Sequence, residues 1–210
     1  MNRFNVAILT AVLTASYISG VAAQKVRTLP PDNKPIESRL LPDDEVVVVQ
    51  PLMASRRSTF EWTRESELSD LATWEEVAVI HQAKSESFFV RNGTWLDTRV
   101  TARVMQTLKT GRLATAPGRP ITFEHGGGEL SVRAVTVRSA EGVSFEPSKR
   151  YLVAIRYHDG LQKWQVGVMF ELDNLGFLRE HRRRSGSTVQ SALTGLRLAE
   201  VADAISKRPK

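Results

Sequence analysis

The chain predicts a mainly β domain: a small antiparallel barrel with a short helix before it and a C-terminal helix. Three observations carry this. Asn92-Gly93 and Asp159-Gly160 each sit between long β-prone runs, and a two-residue hairpin loop needs residues that accept positive φ. The runs beside Asn92-Gly93 reach about a dozen residues, longer than the usual strand, and long coiled strands suit a closed sheet. Near the end, Leu198, Val201, Ala202 and Ile205 form one apolar stripe at helical spacing.

Taken in order, Arg3 precedes an apolar run, Val6 to Leu13, and small residues ending Val21-Ala22-Ala23. That is the charged, hydrophobic and small-residue pattern of a secretory signal peptide, so residues 1–23 are expected to be removed and the mature chain to begin at Gln24. A membrane span fits less well, because Asn5, Thr10, Thr14, Ser16 and Ser19 interrupt a run that must supply about 20 apolar residues. The expected location is exported, periplasmic or extracellular, with no transmembrane anchor after cleavage. The chain has no cysteine, which excludes a lipid-attachment cysteine, a disulfide and a thiol nucleophile.

Residues 24–55 contain Pro30, Pro31, Pro35 and Pro42 and read as an extended leader that buries little. Val46 to Val49, between Asp43-Asp44-Glu45 and Pro51, reads as an edge strand. Residues 56–186 form the expected barrel domain. Within it Leu68 and Leu71, with Glu65 and Glu67 ahead of them, predict a short helix over Arg64 to Ala72. Residues 187–210 form the expected helical tail, broken near Gly195.

The hairpins can be tested by register. With Asn92 and Gly93 as the loop, Glu86 falls opposite Arg99, Lys84 opposite Thr101 and Gln82 opposite Arg103, a polar face with a cross-strand ion pair. The other face receives Phe89 with Leu96, Ala83 with Ala102, and His81 with Val104. With Asp159 and Gly160 as the second loop, Tyr151 falls opposite Val168, Val153 opposite Val166 and Ile155 opposite Trp164, which makes Trp164 a core residue. Between the hairpins, Pro120 to His125 and Leu130 to Arg138 both alternate as strands do.

Phe123-Glu124-His125-Gly126-Gly127-Gly128-Glu129-Leu130 invites three readings. A phosphate cradle requires a helix after the glycines; a strand pattern follows here and Glu129 would repel phosphate. A turn using glycine's positive φ accounts for the run. A metal site would have to gather His125, Glu129 and His158-Asp159 across loops. His81 lies on the apolar face and reads as a core histidine, and Ser185-Gly186-Ser187 has no nucleophile-elbow context. Arg179, His181, Arg182, Arg183 and Arg184 are the densest charge cluster. They read either as a solvated connector or as an anion-binding site built on Arg179, Arg182, Arg183 and Arg184.

Asp97-Thr98-Arg99-Val100, Val104, Leu108-Lys109-Thr110-Gly111, Gly126-Gly127-Gly128-Glu129 and the stretch from Phe145 to Val153 together resemble a group of uncharacterised exported bacterial proteins. Their small barrel is similar to the OB-like fold of netrin and tissue-inhibitor-of-metalloproteinase modules. The resemblance spans roughly Leu68 to Val168 and implies an OB-like or related Greek-key barrel. Thr110 and Ser148-Lys149 depart from the group's pattern. The inhibitors' N-terminal cysteine is absent, so their inhibitory activity is not implied.

The net charge of +6 is compatible with anionic partners and equally with plain solubility. The expected function is a non-catalytic binding or interaction module of the cell envelope, its partner an unidentified envelope protein or an anionic polymer. Nucleic acid, cofactors and a bound metal are not expected. The alternatives are a polyanion-binding barrel using the arginine cluster and a metal-assisted hydrolase using His125, Glu129 and His158.

Overall fold

The computed structural model describes residues 24–50, 63–112, 116–140, 145–181 and 191–207, with the side chains of Glu180 and His181 outside the description. Five strands close a barrel: β3 (Glu76–Val90), β4 (Trp95–Lys109), β5 (Pro120–Gly126), β8 (Arg150–His158) and β9 (Lys163–Leu172). The order around it is β9-β5-β4-β3-β8 and back to β9, antiparallel except where Glu124 on β5 meets Gln165 on β9 in parallel. That is the order of an OB-like Greek-key barrel. A further strand, β10 (Leu178–His181), lies on the outer edge of β9.

The first hairpin follows the expected register from its tip to the middle. Val90 pairs with Trp95, Phe89 with Leu96, Glu86 with Arg99 and Lys84 with Thr101. Arg91, Asn92 and Gly93 all have positive φ, and Gly93 N–H donates to the Val90 carbonyl at 3.0 Å and Thr94 N–H to the Arg91 carbonyl at 3.3 Å, so the expected register is kept across a four-residue turn, 91–94, in place of the two-residue one. The register then shifts at Gln82, whose φ is 52°. This bulge keeps Ala78, Ile80 and Ala83 in the core while setting His81 opposite exposed Arg103. The expected place of His81 on the apolar face is thus overturned. Arg99 also takes a different ion-pair partner, Glu124 at 2.9 Å rather than Glu86.

The second hairpin differs more. Its loop is not Asp159-Gly160 alone: residues 159–161 form one 3-10 turn and Gln162 follows in the left-handed region. Tyr157 therefore pairs with Trp164 and Ile155 with Val166, and a bulge then sets Ala154 against Val168. Gly167 is the extra residue. A Cβ there would lie 1.6 Å from the Trp74 ring, so only a bare backbone lets the indole lie on β9. Trp164 still packs against the barrel core, as expected.

The segment from 130 to 138 is also two strands, not one. β6 (Glu129–Val132) and β7 (Val135–Ser139) are joined at Arg133-Ala134, both with positive φ. Such a turn without glycine or asparagine carries no obvious sequence signal.

Residues 24–50, expected to bury little, contribute to a second sheet. β1 (Val26–Leu29) and β2 (Val46–Val49) run parallel to each other, and β2 runs parallel to β7, in the order β1-β2-β7-β6. The valine run is therefore central, not an edge, and Ile36 and Val47 are wholly buried. This sheet packs Val47, Val49, Val135 and Val137 onto Leu96, Phe89 and Trp95, where the first hairpin projects beyond the barrel. Continuous apolar character is what a strand between two parallel neighbours displays.

The helices cover another flank. α1 (Arg64–Thr73) begins at Thr63, whose hydroxyl accepts from Ser66 N–H while the Ser66 hydroxyl accepts from Thr63 N–H, a reciprocal cap. α2 (Leu198–Ser206) buries Val201 and Ile205. Both helices join Val77, Val79, Leu152, Ala154, Val168 and Phe170, the outward residues of β3, β8 and β9, in a second apolar layer. The carboxylate of Glu67 ties α1 to the tail by accepting from the Ser191 hydroxyl at 2.5 Å and Leu193 N–H at 3.2 Å. No described helix is long and apolar enough to cross a membrane.

Candidate functional site

With one flank of the barrel under helices, which Leu108 at the far end of β4 also joins, and the hairpin tip under the second sheet, the outer face of β5 and of β4 from Arg99 to Arg103 is left without a covering element among the described residues. Strand alternation decides which side chains it presents. Val100, Ala102, Ile121 and Phe123 point inward and are buried, while Arg99, Thr101, Arg103 and Thr122 are exposed. Exposed Lys84 and Glu86 extend the same surface across β3.

One end of this face is held by an ion network. The guanidinium of Arg99 reaches Glu124 Oε1 at 2.9 Å and lies over the Phe88 ring at 5.2 Å. Lys163 on β9 reaches Glu124 at 2.8 Å and Asp97 at 3.2 Å. Partial burial would raise the Glu124 pKa, but hydrogen bonds from Lys163 and Arg99 outweigh it and hold the carboxyl below its usual range. Partial burial would likewise lower Lys163, and the two carboxylates raise it instead. Thr101 and Thr122 hydroxyls meet at 3.2 Å in the middle of the face. Beyond them Lys84 and Arg103 form no ion pair with a described carboxylate, so among the described residues this part is cationic.

The residues singled out from sequence fare differently. Arg179 is engaged: its Nε and Nη2 donate to Asp173 Oδ2 at 2.9 and 2.7 Å. Asp173 also accepts from the backbone N–H groups of Phe177 and Leu175. Those backbone bonds, the Phe177 one first, and Arg179 together hold its carboxyl below the usual range. Arg179 thereby closes the turn into β10. Arg182, Arg183 and Arg184 lie outside the described residues, as does Ser185-Gly186-Ser187.

The three glycines form the turn expected of them. Gly127 and Gly128 have φ of 88° and 146°, and a Cβ on Gly128 would fall 2.1 Å from Thr98 Oγ1 and 2.4 Å from Ser87 Oγ. Thr98 donates to the Gly127 carbonyl at 2.7 Å, and Glu129 N–H donates to the Ser87 hydroxyl at 3.2 Å. The run therefore passes directly across the hairpin and leads β5 into the second sheet.

The candidate metal ligands have separate partners. His125 is buried against Phe145, its Nδ1 3.0 Å from the Gly126 carbonyl, and burial pushes its pKa down. Glu129 pairs with Arg138 at 3.5 Å and Asp159 with Arg112 at 3.0 Å. No group of three or more histidines and carboxylates placed to hold a metal occurs among the described residues.

Sequence reasoning placed Arg99, Thr101 and Arg103 on one polar face but missed Lys163 and Asp97. Asp97 shares the parity of Arg99 and Thr101 on β4, whereas Lys163 joins the site only because β9 closes on β5, a long-range pairing with no local signature. Comparisons with family models, with curated proteins and with solved structures find no match to this chain.

Proposed function

We propose that the chain is a non-catalytic binding module exported to the cell envelope, and that an extended anionic ligand lies across the β4–β5 face. The observation that carries the reading is the coincidence of openness and charge. The barrel face left without a cover among the described residues presents Lys84 and Arg103 free of described carboxylates, beside hydroxyls of Thr101 and Thr122. β4 and β5 are the second and third strands of the barrel, and in OB-like barrels generally that face binds oligomeric ligands. This part of the support is analogy of fold. Export rests on the signal-peptide pattern of residues 1–23.

The competing reading places polyanion binding on the arginine cluster. Arg179 is already neutralised by Asp173, which leaves that reading only Arg182, Arg183 and Arg184. Retention on heparin over a salt series separates the two, because each phosphate-like or sulfate contact releases counterions and steepens the salt dependence. Replacing Lys84 and Arg103 together with glutamine is expected to flatten the slope. Replacing Arg182, Arg183 and Arg184 with glutamine is expected to leave it nearly unchanged. The opposite pattern would sink the proposed face.

A further inference from the structure

A cavity of about 240 Å³ opens on another part of the barrel, between Trp74 and the loop end of β8 and β9. It is lined by Trp74, Arg156, Tyr157, His158, Gln165 and Val166. Its walls are braced. Glu75 accepts from Tyr157 N–H at 3.0 Å, and Arg112 reaches Glu75 at 3.4 Å and Asp159 at 3.0 Å while lying over the Tyr157 ring at 5.2 Å. Trp74 is locked against the backbone of Gly167.

The bracing leaves Arg156 unspent. Arg156 lies over the Trp74 ring, 4.8 Å from its centroid, and pairs with no carboxylate among the described residues. The nearby carboxylates, Glu75 and Asp159, are both taken by Arg112 and do not neutralise Arg156.

We infer that this cavity binds a small hydroxylated carboxylate, a sugar acid of the uronate class. Arg156 presents the planar fork that matches a carboxylate in two parallel bonds. The exposed His158 ring at the rim offers a polar contact for a hydroxyl. The size excludes the extremes. The space far exceeds that of one bare ion and falls just below the range of about 300–1,000 Å³ of drug-sized sites, as a single sugar ring demands. Both aromatic rings already carry an arginine on a face, so ring stacking is secondary and the charge is the principal determinant. The uronate can be a free solute or the end residue of an acidic polysaccharide.

Titration calorimetry with glucuronate, glucose and a linear uronate tetramer tests this, each against wild type, Arg156→Gln, Arg156→Lys and Trp74→Phe. Glucuronate is expected to bind, with glucose weaker by about tenfold or more, the loss expected for one charge-assisted contact. Arg156→Gln should lose a similar factor without moving the urea midpoint, since the side chain is exposed, and Arg156→Lys should recover part of it. Trp74→Phe, which keeps a ring beneath Arg156 and on Gly167, should leave the affinity nearly unchanged. Tetramer binding at monomer strength would identify chain ends as the source, and its exclusion a free solute. Equal binding of glucose and glucuronate, unaltered affinity in Arg156→Gln, or no heat from glucuronate up to about 10 mM would overturn the inference.

Discussion

The barrel and the second sheet are both β structure with buried valines, yet they are held together in different ways. Most of the barrel's pairings join strands adjacent in the chain: β3 with β4, β4 with β5, and β8 with β9. The second sheet depends on β2 lying between β1 and β7, parallel pairings of which the second spans some 90 residues of chain. Parallel pairs without a crossover helix gain nothing from local turns, so this sheet must be held by side chains and by its barrel contact. Two features supply that: the valines seated on Leu96 of the hairpin, and the Asp44 carboxylate, which accepts from Arg27 of β1 and from Leu41 N–H ahead of β2. The difference teaches that the second sheet is an addition supported by the barrel, and that the two regions should yield to different perturbations.

The most disruptive test acts at their junction. Gly128→Ala forces a Cβ into the Thr98 and Ser87 hydroxyls at a backbone φ of 146°. The strain at a glycine-only conformation plus the clash should cost about 3 kcal/mol or more, read as a lower urea midpoint. An unchanged midpoint would mean that the regions are not joined tightly there.

A smaller and more local effect is expected from Asp44→Asn. The Asp44 side chain is buried, accepts from Arg27 and from Leu41 N–H, and the Arg27 contact lowers its pKa to about 2. A lowered carboxyl pKa stabilises the fold above the unfolded value near 3.8 and ceases to do so as pH falls through about 2. That lowering corresponds to about 2 kcal/mol. Asp44→Asn should therefore release amide-exchange protection in β1 and β2 while the barrel amides keep theirs. Equal loss in both regions would show that the second sheet is not a separable unit.

The same contrast explains which parts were legible from sequence. Local chemistry was readable: Asn92-Gly93 set the hairpin tip and Gly126 to Gly128 marked a turn. The alternation of Arg99, Thr101 and Arg103 identified the exposed face. Bulges were not. The shift at Gln82, which moved His81 off the apolar face, and the extra residue at Gly167 are set by barrel curvature, a global requirement with no local signal. Val46 to Val49 looked like an edge because Pro51 follows it. Its second neighbour, β7, could only be known from the fold, as could the approach of Lys163 to Glu124.

The last and mildest test separates the regions by pH. His125 sits in the barrel core against Phe145 and Phe123's layer, and burial depresses its pKa despite the Gly126 carbonyl and the nearby Asp97 carboxylate, which both favour the proton. Lys163, which pairs with Asp97, opposes that attraction. A histidine kept neutral in the folded state binds fewer protons than in the unfolded chain, so its contribution is full above the unfolded pKa near 6.5 and declines as pH drops below it. The decline ends once pH passes the depressed folded value. Asp44 responds only below 3.8, so the barrel should weaken first and the second sheet later as acid is added. Urea midpoints from pH 7.5 down to 5 are expected to fall in wild type and to stay nearly level in His125→Gln, whose amide can still donate to Gly126. Parallel curves for the two proteins would assign the acid response to another group and remove the distinction between an early barrel transition and a late sheet transition.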